Sequence, residues 1–463
     1  MNYRIEQDSL GPVEVPADVL YGAQTRRAGC NFSVSGWPMP KAFILALARL
    51  KRAAAFANRD LGRLTPEIAE LIGVAASEIL DGKHDAAFPL DVFQTGSATS
   101  TNMNMNEVIS NRAIQLAGGE IGSKTPVHPN DHVNLGQSSN DLTPTASHIA
   151  AALEVEKTLI PALEELRDAL RSRIPGFDKV VKIGRTHLQD AVPIRMGQVF
   201  LGFTGQVESA IERLATARDR LLALALGGTA VGTGLNCHPD FAPMVIAAVA
   251  KETGLPFVET KNHFAAQATM DDFVNLAAAL KSAGLTLVKI ANDIRFLASG
   301  PRCGYGELKL PSLQPGSSIM PGKVNPVMCE AMMQAASFAV GGEAGVAYAA
   351  SVLSNFELSL AWPYASWQAL EVVRVLAGAT RQFTQKAVAG IEADPEHCAE
   401  LCERSLAMCT SLAPVIGYDN AAAIAKAAAA SGKTVREIAL EKSGLSGQEL
   451  DALLDPTGMT GHE

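Results

Sequence analysis

The middle of the chain holds long stretches that are rich in Ala and Leu and contain few helix-breaking residues. These stretches cover residues 146–174, 196–226, 239–253 and 270–297. Most of them exceed the average helix of a globular protein, and small Ala side chains let helices pack closely. Sustained alternation of apolar and polar residues, typical of half-buried strands, is scarce. The sequence therefore predicts a mostly α fold around a long central helical bundle and argues against a doubly wound α/β sheet.

The two ends of the chain differ from this middle part. Gly, Pro and polar residues dominate the first forty positions; helical spacing begins near Lys41, and another helical stretch runs from Pro66 to about Leu80. After about Asp394, short helical segments are separated by Gly and Pro. These short helices are expected over residues 395–409, 418–431 and 433–442. We therefore predict an N-terminal domain (1–137), a central helical-bundle domain (138–394) and a small C-terminal helical domain (395–463).

The overall composition excludes several classes of protein. The 39 basic and 48 acidic residues give a net charge of −9, which provides no basic surface for nucleic acid. The seven cysteines are scattered and form no CxxC pair, which indicates reduced thiols rather than a zinc site or a disulfide scaffold. The first residues resemble neither a signal nor a transit peptide, and no charge-free apolar run is long enough for a membrane span. We expect a soluble cytoplasmic protein that binds neither nucleic acid nor membrane.

Two further patterns suggest a cofactor but are explained better without one. The glycine-rich segment 227–234 lacks the Lys-Ser/Thr of a phosphate-binding loop and a downstream ribose-binding acid, which favours a helix interruption with close backbone packing. His128 and His132 have the spacing of metal ligands on a helix, but Pro129 lies between them and no third ligand is evident nearby. A hydrogen-bonded turn is the favoured interpretation of this His pair. The sequence predicts no cofactor and no metal.

Four short segments are more polar than their apolar surroundings, and each combines hydroxyls, amides or His with Gly or Pro. They cover residues 96–106, 128–140, 184–190 and 316–325. For a single segment of this kind, a helix cap or a turn explains the residues as well as a functional site does. Together the four segments supply neutral donors and one strong positive charge, that of Lys323 beside Asn325. Helix starts expected near Glu107 and Thr143 would add backbone N–H groups. This set suits a small dicarboxylate, and its neutral donors are Ser97, Thr99, Ser138, Ser139, Asn140 and Thr186.

The segment Gly316–Pro326 carries the most information. Two glycines and two prolines shape it, and the apolar residues Ile319, Met320 and Val324 stand among its polar residues, which a simple surface turn does not require. A loop of this composition can act as a mobile lid that brings a catalytic group to the bound substrate.

These segments also resemble the sequence blocks of the fumarase/aspartase superfamily. Gly316–Pro326 is similar to the GSSxMPxKxNP signature of that family, and the other blocks follow in the family's order. These other blocks are residues 96–104, 128–134, 137–141 and 184–190. The similarity runs from about Tyr3 to Met459, and it implies the family's three-domain helical fold.

Within the superfamily, single residues favour the class II fumarases. Gly322 and Ser139 match fumarases, whereas aspartases more often have Ala and Thr there; Cys329–Ala331 and Tyr21–Thr25 are also similar to fumarases. The resemblance implies reversible hydration of fumarate to L-malate, by anti addition of water through an aci-carboxylate intermediate.

The resemblance also implies a role for each catalytic residue. Ser317 would be the base that removes a proton from C3 of malate, with its alkoxide supported by loop N–H groups and by Lys323. Lys323 and Asn325 would stabilise the aci-carboxylate. His187, paired with Glu330, would handle the leaving hydroxyl.

The remaining implied residues bind anions. Ser97, Thr99, Ser138, Ser139, Asn140 and Thr186, with Lys323 and Asn325, would hold the substrate carboxylates. His128, Asn130 and Asp131 match the family's second anion-binding segment. In this family three subunits of a homotetramer assemble each site, which implies that the Ala-rich middle of the chain is an interface.

The chain departs from the fumarase pattern around the implied pocket. The departures are Leu135-Gly136, Thr143, Val199, Ser359 and Tyr364-Ala365. Because the catalytic set is intact, they bear on substrate size, the second site and efficiency rather than on the chemistry. Two alternatives stay open from the sequence: an aspartase-type or related lyase on a fumarate-like dicarboxylate, and a non-catalytic paralogue with a binding or structural role.

Overall fold

The computed structural model describes residues 2–461 and is 62% helical, which confirms the mostly α prediction. The α-helices are, in chain order, α1 (Ala23–Asn31), α2 (Lys41–Asp60), α3 (Pro66–Leu80), α4 (Thr99–Leu116), α5 (Ser139–Glu154), α6 (Ile160–Phe177), α7 (Met196–Arg220), α8 (Phe241–Thr253), α9 (His263–Ala268), α10 (Asp271–Leu297), α11 (Val327–Val352), α12 (Trp362–Lys386), α13 (Pro395–Arg404), α14 (Ala413–Ile416), α15 (Tyr418–Ser431), α16 (Val435–Lys442) and α17 (Gly447–Leu453). The longest, α7, α10, α11 and α12, have 25 to 27 residues.

The β-structure consists of small two-stranded pairs. The strands are β1 (Tyr3–Asp8), β2 (Gly11–Pro16), β3 (Val181–Thr186), β4 (Gln189–Arg195), β5 (Ala223–Leu224), β6 (Val258–Glu259), β7 (Leu308–Lys309), β8 (Ser354–Asn355), β9 (Leu358–Ser359) and β10 (Glu392–Ala393). The pairs β1–β2, β3–β4, β8–β9 and β7–β10 are antiparallel, whereas β5–β6 is parallel. Short 3-10 segments are Asp85–Ala87, Val388–Gly390, Leu406–Ser411 and Pro456–Met459, and π-helical segments are Pro129–Val133 and Val155–Leu159.

Several predicted helix bounds are confirmed, and each has a local cause. Helix α3 begins with Pro66, and the Thr65 hydroxyl caps it by accepting a hydrogen bond from the Ile68 N–H at 3.4 Å. Helix α16 begins with a capping box in which Thr434 and Glu437 bond each other's backbone N–H. Helices α2 and α15 begin at the predicted residues Lys41 and Tyr418.

Two predicted helix starts are wrong, and both errors fall in the polar segments. Helix α4 begins at Thr99 rather than near Glu107, and α5 begins at Ser139 rather than near Thr143. Polar side chains at buried positions explain the first error, since Asn102, Asn104 and Asn106 are all buried and hide the apolar periodicity. The predicted donors other than Thr186 therefore lie at or beside helix N-termini.

The chain divides into two compact units. The first comprises the chain up to Pro161, Glu212–Gly284 and Ser337–Ala377, and its core includes Phe43, Leu47 and Leu50 of α2. The second comprises Ala162–Ile211, Leu285–Ala336 and the chain from Gly378 on. In the second unit α15, α16 and α17 share a hydrophobic cluster that includes Ile424, Ile438 and Leu450. The division into domains 1–137, 138–394 and 395–463 stays a prediction.

Among the described residues, helix α10 alone is long and apolar enough to cross a membrane. It also carries charges, including Lys281, whose Nζ lies 2.6 Å from Glu343 Oε2, and it buries Phe273 and Leu276. The core helix of a protein outside membranes passes the same test of length and composition.

Candidate functional site

Three of the predicted hydroxyl groups come together in the first unit, at the N-termini of α4 and α5. Ser97 Oγ lies 2.8 Å from Thr99 Oγ1, which in turn lies 2.7 Å from Ser139 Oγ. Thr143 supports this group because its hydroxyl donates to the Ser97 carbonyl at 2.8 Å. The structure thus unites donors that are forty residues apart in sequence, and it places them where free helix N–H groups favour an anion.

The buried carboxylate of Asp141 fixes the start of α5. It accepts a hydrogen bond from Ser138 N–H at 3.0 Å and from the N–H groups of Gly227 and Thr229 at 3.0 and 2.9 Å. Burial raises the pKa of Asp141, whereas these backbone donors act in the opposite direction. Sequence reasoning missed this role, although the Ser-x-x-Asp spacing of Ser138 and Asp141 is that of a capping box.

The glycine-rich segment 227–234 packs against the same turn. Besides the two N–H groups bound by Asp141, the segment offers the Ala230 carbonyl, which accepts a hydrogen bond from Asn140 Nδ2 at 2.8 Å. The segment therefore serves as a backbone support for the predicted donor Asn140, in agreement with the predicted close backbone packing.

The loop before α4 is fixed by a second buried carboxylate, Asp91, which the sequence analysis also missed. It accepts hydrogen bonds from the N–H groups of Ser35, Gly36 and Phe93 at 2.6, 2.7 and 2.9 Å. Burial alone would raise the pKa of Asp91, but these donors overcome that effect and hold the pKa at about 2. Isolated acidic residues give no pattern that would reveal such a role.

The segment matched to a second anion site forms a π-helical turn. His128 Nδ1 accepts hydrogen bonds from the N–H groups of Asn130 and Asp131 at 3.2 and 3.1 Å, and His128 N–H donates to His132 Nδ1 at 2.9 Å. The hydrogen-bonded turn predicted for this His pair is confirmed. In the described residues no group of three or more His, Cys, Asp or Glu side chains is arranged to hold a metal ion.

Asn130 also borders a cavity of about 700 Å³ in the first unit. Glu6, Asp8 and Glu107 line this cavity, together with Lys124. An anion inside it would meet three carboxylates and one lysine, which is unfavourable. The anion site at His128, Asn130 and Asp131 therefore stays a prediction, and this cavity adds no support to it.

In the second unit, Thr186 and His187 lie at the tip of the β3–β4 hairpin. The two-residue turn is His187-Leu188, with φ values of 56° and 60°, and Thr186 pairs with Gln189 across it. Both turn residues are in the left-handed region, which is the geometry of a type I′ turn but unusual without Gly or Asn. The turn leaves His187 exposed. The hairpin was not predicted from the sequence, because its turn lacks those residues.

A buried carboxylate anchors strand β3 of this hairpin. Arg185 Nη1 and Nη2 donate to Glu307 Oε2 and Oε1 at 2.9 and 3.0 Å, and Lys182 Nζ lies 3.3 Å from the same side chain. The Arg185 guanidinium also lies 4.3 Å from the centre of the Tyr305 ring. The hairpin thus has an exposed turn and an anchored strand β3.

Ser317 lies in the exposed loop before α11, and its oxygen accepts two backbone hydrogen bonds. The N–H groups of Ile319 and Met320 donate to Ser317 Oγ at 3.2 and 3.0 Å. The positive ends of two N–H dipoles therefore point at the oxygen that would carry the charge of an alkoxide. This agrees with the prediction that loop N–H groups support the alkoxide of Ser317. Ile319 and Met320 themselves are 84% and 49% exposed.

The two ends of this loop are bonded to each other. Gly316 N–H donates to the Lys323 carbonyl at 2.7 Å, and Asn325 Nδ2 donates to the Gly316 carbonyl at 2.9 Å. Lys323 is exposed and, with Ser317, lines a cavity of about 460 Å³ on the loop. The loop therefore holds the predicted base and the predicted cation close in space.

Glu330 lies in the first turn of α11, a few residues after this loop. Within residues 2–461 of a single chain, no hydrogen bond or ion pair joins Glu330 to His187. The pairing of these two residues stays a prediction.

Comparison with known proteins places the chain in a family. The family profile described as "Lyase" matches residues 11–341, and the one described as "Fumarase C C-terminus" matches residues 408–461. The chain is 50% identical over 448 residues to fumarate hydratase class II of Thermosynechococcus vestitus, covering 97% of this chain and 96% of that protein. It is 51% identical over 462 residues to the mitochondrial fumarate hydratase of Homo sapiens, covering 99% of this chain and 90% of that protein.

A solved structure also indicates the fumarase family. The crystal structure of recombinant class II fumarase from Schistosoma mansoni aligns with a TM-score of 0.96 at 38% identity and covers 99% of each chain. The predicted fumarase/aspartase-like fold and the predicted lyase class are confirmed. The chain belongs to the class II fumarate hydratases of the fumarase/aspartase superfamily.

Proposed function

We infer that the chain is a fumarate hydratase, which interconverts fumarate and L-malate, and we propose that Ser317 is its base. The observation that carries the assignment of Ser317 is the pair of N–H groups, from Ile319 and Met320, that donate to its oxygen. A serine hydroxyl is a weak acid, so an alkoxide needs fixed dipoles of this kind to persist. In the direction of dehydration, the alkoxide takes the C3 proton of malate.

Removal of this proton leaves two negative charges on one carboxyl group of the substrate. Lys323 and Asn325 stand on the same loop and would stabilise this aci-carboxylate. Asn325 uses one amide N–H for the Gly316 carbonyl, and the second N–H remains for the substrate. His187, assisted by Glu330, would deliver the proton that releases the hydroxyl from C2 as water, on the opposite face of the substrate.

The substrate carboxylates would be bound mainly by neutral donors. Ser97, Thr99 and Ser139 already form a linked group at two helix N-termini, where backbone N–H groups add favourable dipoles. Ser138, Asn140 and Thr186 complete the proposed set. A dianion held in this way avoids the desolvation of several buried arginines.

We further propose that the enzyme is a homotetramer in which three subunits supply each site. Apolar side chains on the long helices support this, because Leu201 of α7, Leu285 of α10 and Tyr348 of α11 are 59%, 52% and 70% exposed. His187 and the Ser317 loop are themselves exposed, as groups that act in another subunit's site would be. We propose a cytoplasmic location and a place in the tricarboxylic acid cycle, with no nucleic-acid or membrane partner.

Proton NMR of fumarate incubated with the purified protein, with and without ammonium, tests this function. We expect malate in both samples, at equal rates. Aspartate formed only with ammonium would reassign the chain to the amino-lyases. Recovery of unchanged fumarate from both samples would contradict a hydratase.

A further inference from the structure

A lysine that the proposed mechanism does not use is buried beside the substrate-binding turn of the first unit. Lys51 of α2 is 0% exposed, and its Nζ donates to Asn134 Oδ1 and Gln137 Oε1, each at 3.0 Å. In the part of the chain that the structure describes, no carboxylate lies within ion-pair distance of it. Burial lowers the pKa of Lys51 well below its ordinary value, and the charge of Asp141 opposes this shift.

The two amides that bind Lys51 also shape the backbone around them. Asn134 Nδ2 donates to the Gln137 carbonyl at 3.1 Å, and Gln137 Nε2 donates to the carbonyls of Val133 and Leu135 at 3.1 Å. Because Lys51 has only donors, it makes both amides turn their oxygens towards it and their nitrogens towards the backbone. The ammonium therefore sets the orientation of both side chains that close the turn.

The same cluster reaches the second group of substrate donors. Asn134 Oδ1 accepts further hydrogen bonds from Asn102 Nδ2 and Asn106 Nδ2, at 3.2 and 3.1 Å. Both asparagines belong to α4, whose first turn carries Thr99. Lys51 and Asn134 thus join the helix that presents Thr99 to the turn that leads to Ser139.

Lys51 and Asp141 hold the same segment by opposite charges. Lys51 binds the segment at Asn134 and Gln137, and Asp141 binds the next residue, Ser138, through its N–H. Without the lysine, only backbone N–H dipoles would balance the buried charge of Asp141 behind the hydroxyls that are to receive a carboxylate. The cation offsets that charge.

We propose that Lys51 is a positioning residue for the hydration reaction: it fixes the Asn134–Gln137 turn so that Thr99 and Ser138–Asn140 converge on one substrate carboxylate. The proposal rests on the carboxylate-binding role proposed above for these donors. A purely structural role does not require a charge, since buried ions are often replaced by apolar side chains at no loss of stability. An unpaired buried ammonium is instead expected where it is needed to compensate another charge or to orient polar groups.

The test compares Lys51→Met with Lys41→Met in the full-length enzyme. Methionine keeps the length of the side chain and removes its charge and its donors. Lys41, at the start of the same helix, is exposed and pairs with Asp85 on the surface, so its substitution controls for the loss of one lysine from α2. The measurements are kcat and KM for fumarate, and the rise in melting temperature caused by succinate, an unreactive dicarboxylate.

For Lys51→Met we expect KM to rise about tenfold or more. The loss of one hydrogen bond to a charged group typically weakens binding by about this factor. We expect kcat to change less than about threefold, because Lys51 touches no reacting atom. The rise in melting temperature with succinate should largely disappear. Lys41→Met should match the wild type in all three respects.

A lower melting temperature with unchanged KM and an unchanged response to succinate would show a structural role only and would overturn the proposal. If Lys51→Met does not fold, Gln137→Met replaces it: this variant removes one acceptor from the turn, and an unchanged KM would likewise count against Lys51. If the wild type binds succinate without hydrating fumarate, the proposed function fails. A lost succinate response in Lys51→Met would then still support the positioning role.

Discussion

The proposed substrate-binding groups of the first unit and the proposed reacting groups of the second unit are built in different ways. Ser97, Thr99 and Ser139 are linked by hydrogen bonds at helix ends, and buried carboxylates fix the backbone behind them. His187 and Ser317, in contrast, lie on an exposed hairpin tip and an exposed loop. The first region is pre-organised for binding before substrate arrives, which lowers the cost of ordering donors around an anion. The second region is open, as expected for groups that complete their site only on closure or assembly.

The largest effect should come from removing the proposed base in the open region. Ser317→Ala should lower kcat about 1,000-fold, within the range that general-base catalysis supplies. The matched control is Ser318→Ala, because Ser318 is an exposed serine in the same loop whose hydroxyl has no assigned role. Initial rates of fumarate hydration measure both variants. Equal losses in the two variants would assign the effect to the loop rather than to Ser317.

An intermediate effect should come from Asp91, in the pre-organised region. Its pKa of about 2 lies below the usual value of 3.8, so it stabilises the fold above pH 3.8, and this stabilisation is lost as the pH falls from 3.8 towards 2. Asp91→Asn should lower the free energy of unfolding at pH 7 by about 2 kcal/mol.

Urea unfolding of wild type and variant across this pH range tests the expectation for Asp91. The difference between the two proteins should shrink as Asp91 becomes protonated. Asp85→Asn, at an exposed carboxylate, is the control and should show little difference at any pH. A constant difference for Asp91→Asn down to pH 2 would contradict the charge-based explanation.

The smallest effect should come from the strained turn of the open region. Leu188 has a φ of 60° and is 65% exposed, and Asn adopts the left-handed conformation more readily than Leu. Leu188→Asn should therefore raise the free energy of unfolding by less than about 1 kcal/mol. Leu440→Asn, at an exposed leucine inside α16, should not raise it, since Asn is a poorer helix former. Equal changes in the free energy of unfolding of the two variants would mean that replacing an exposed leucine, rather than relieving backbone strain, causes the stabilisation.

The sequence predicted the family and the mostly helical fold better than the local structures that carry the proposed site residues. The polar segments around Ser97, Ser138 and Ser317 were recognisable because they interrupt apolar stretches and resemble a known family. Helix α4 was misplaced because its buried asparagines look like a loop when only apolar periodicity is read. Asp91 and Lys51 were not found, since a single charged residue on a helix or loop is normally solvated and its partners are distant in sequence.

The two glycines of the Ser317 loop set different limits on re-engineering the enzyme. A Cβ atom on Gly316 would lie 2.9 Å from both the Asn325 nitrogen and the Lys323 carbonyl oxygen, which are backbone atoms that cannot give way cheaply. At Gly322 a Cβ would meet no atom within 4 Å, and only its φ of 81° opposes a side chain. A mutant library aimed at new substrates should therefore keep position 316 fixed. Position 322 admits Ala at the cost of backbone strain alone, which makes it a practical starting point for varying the loop.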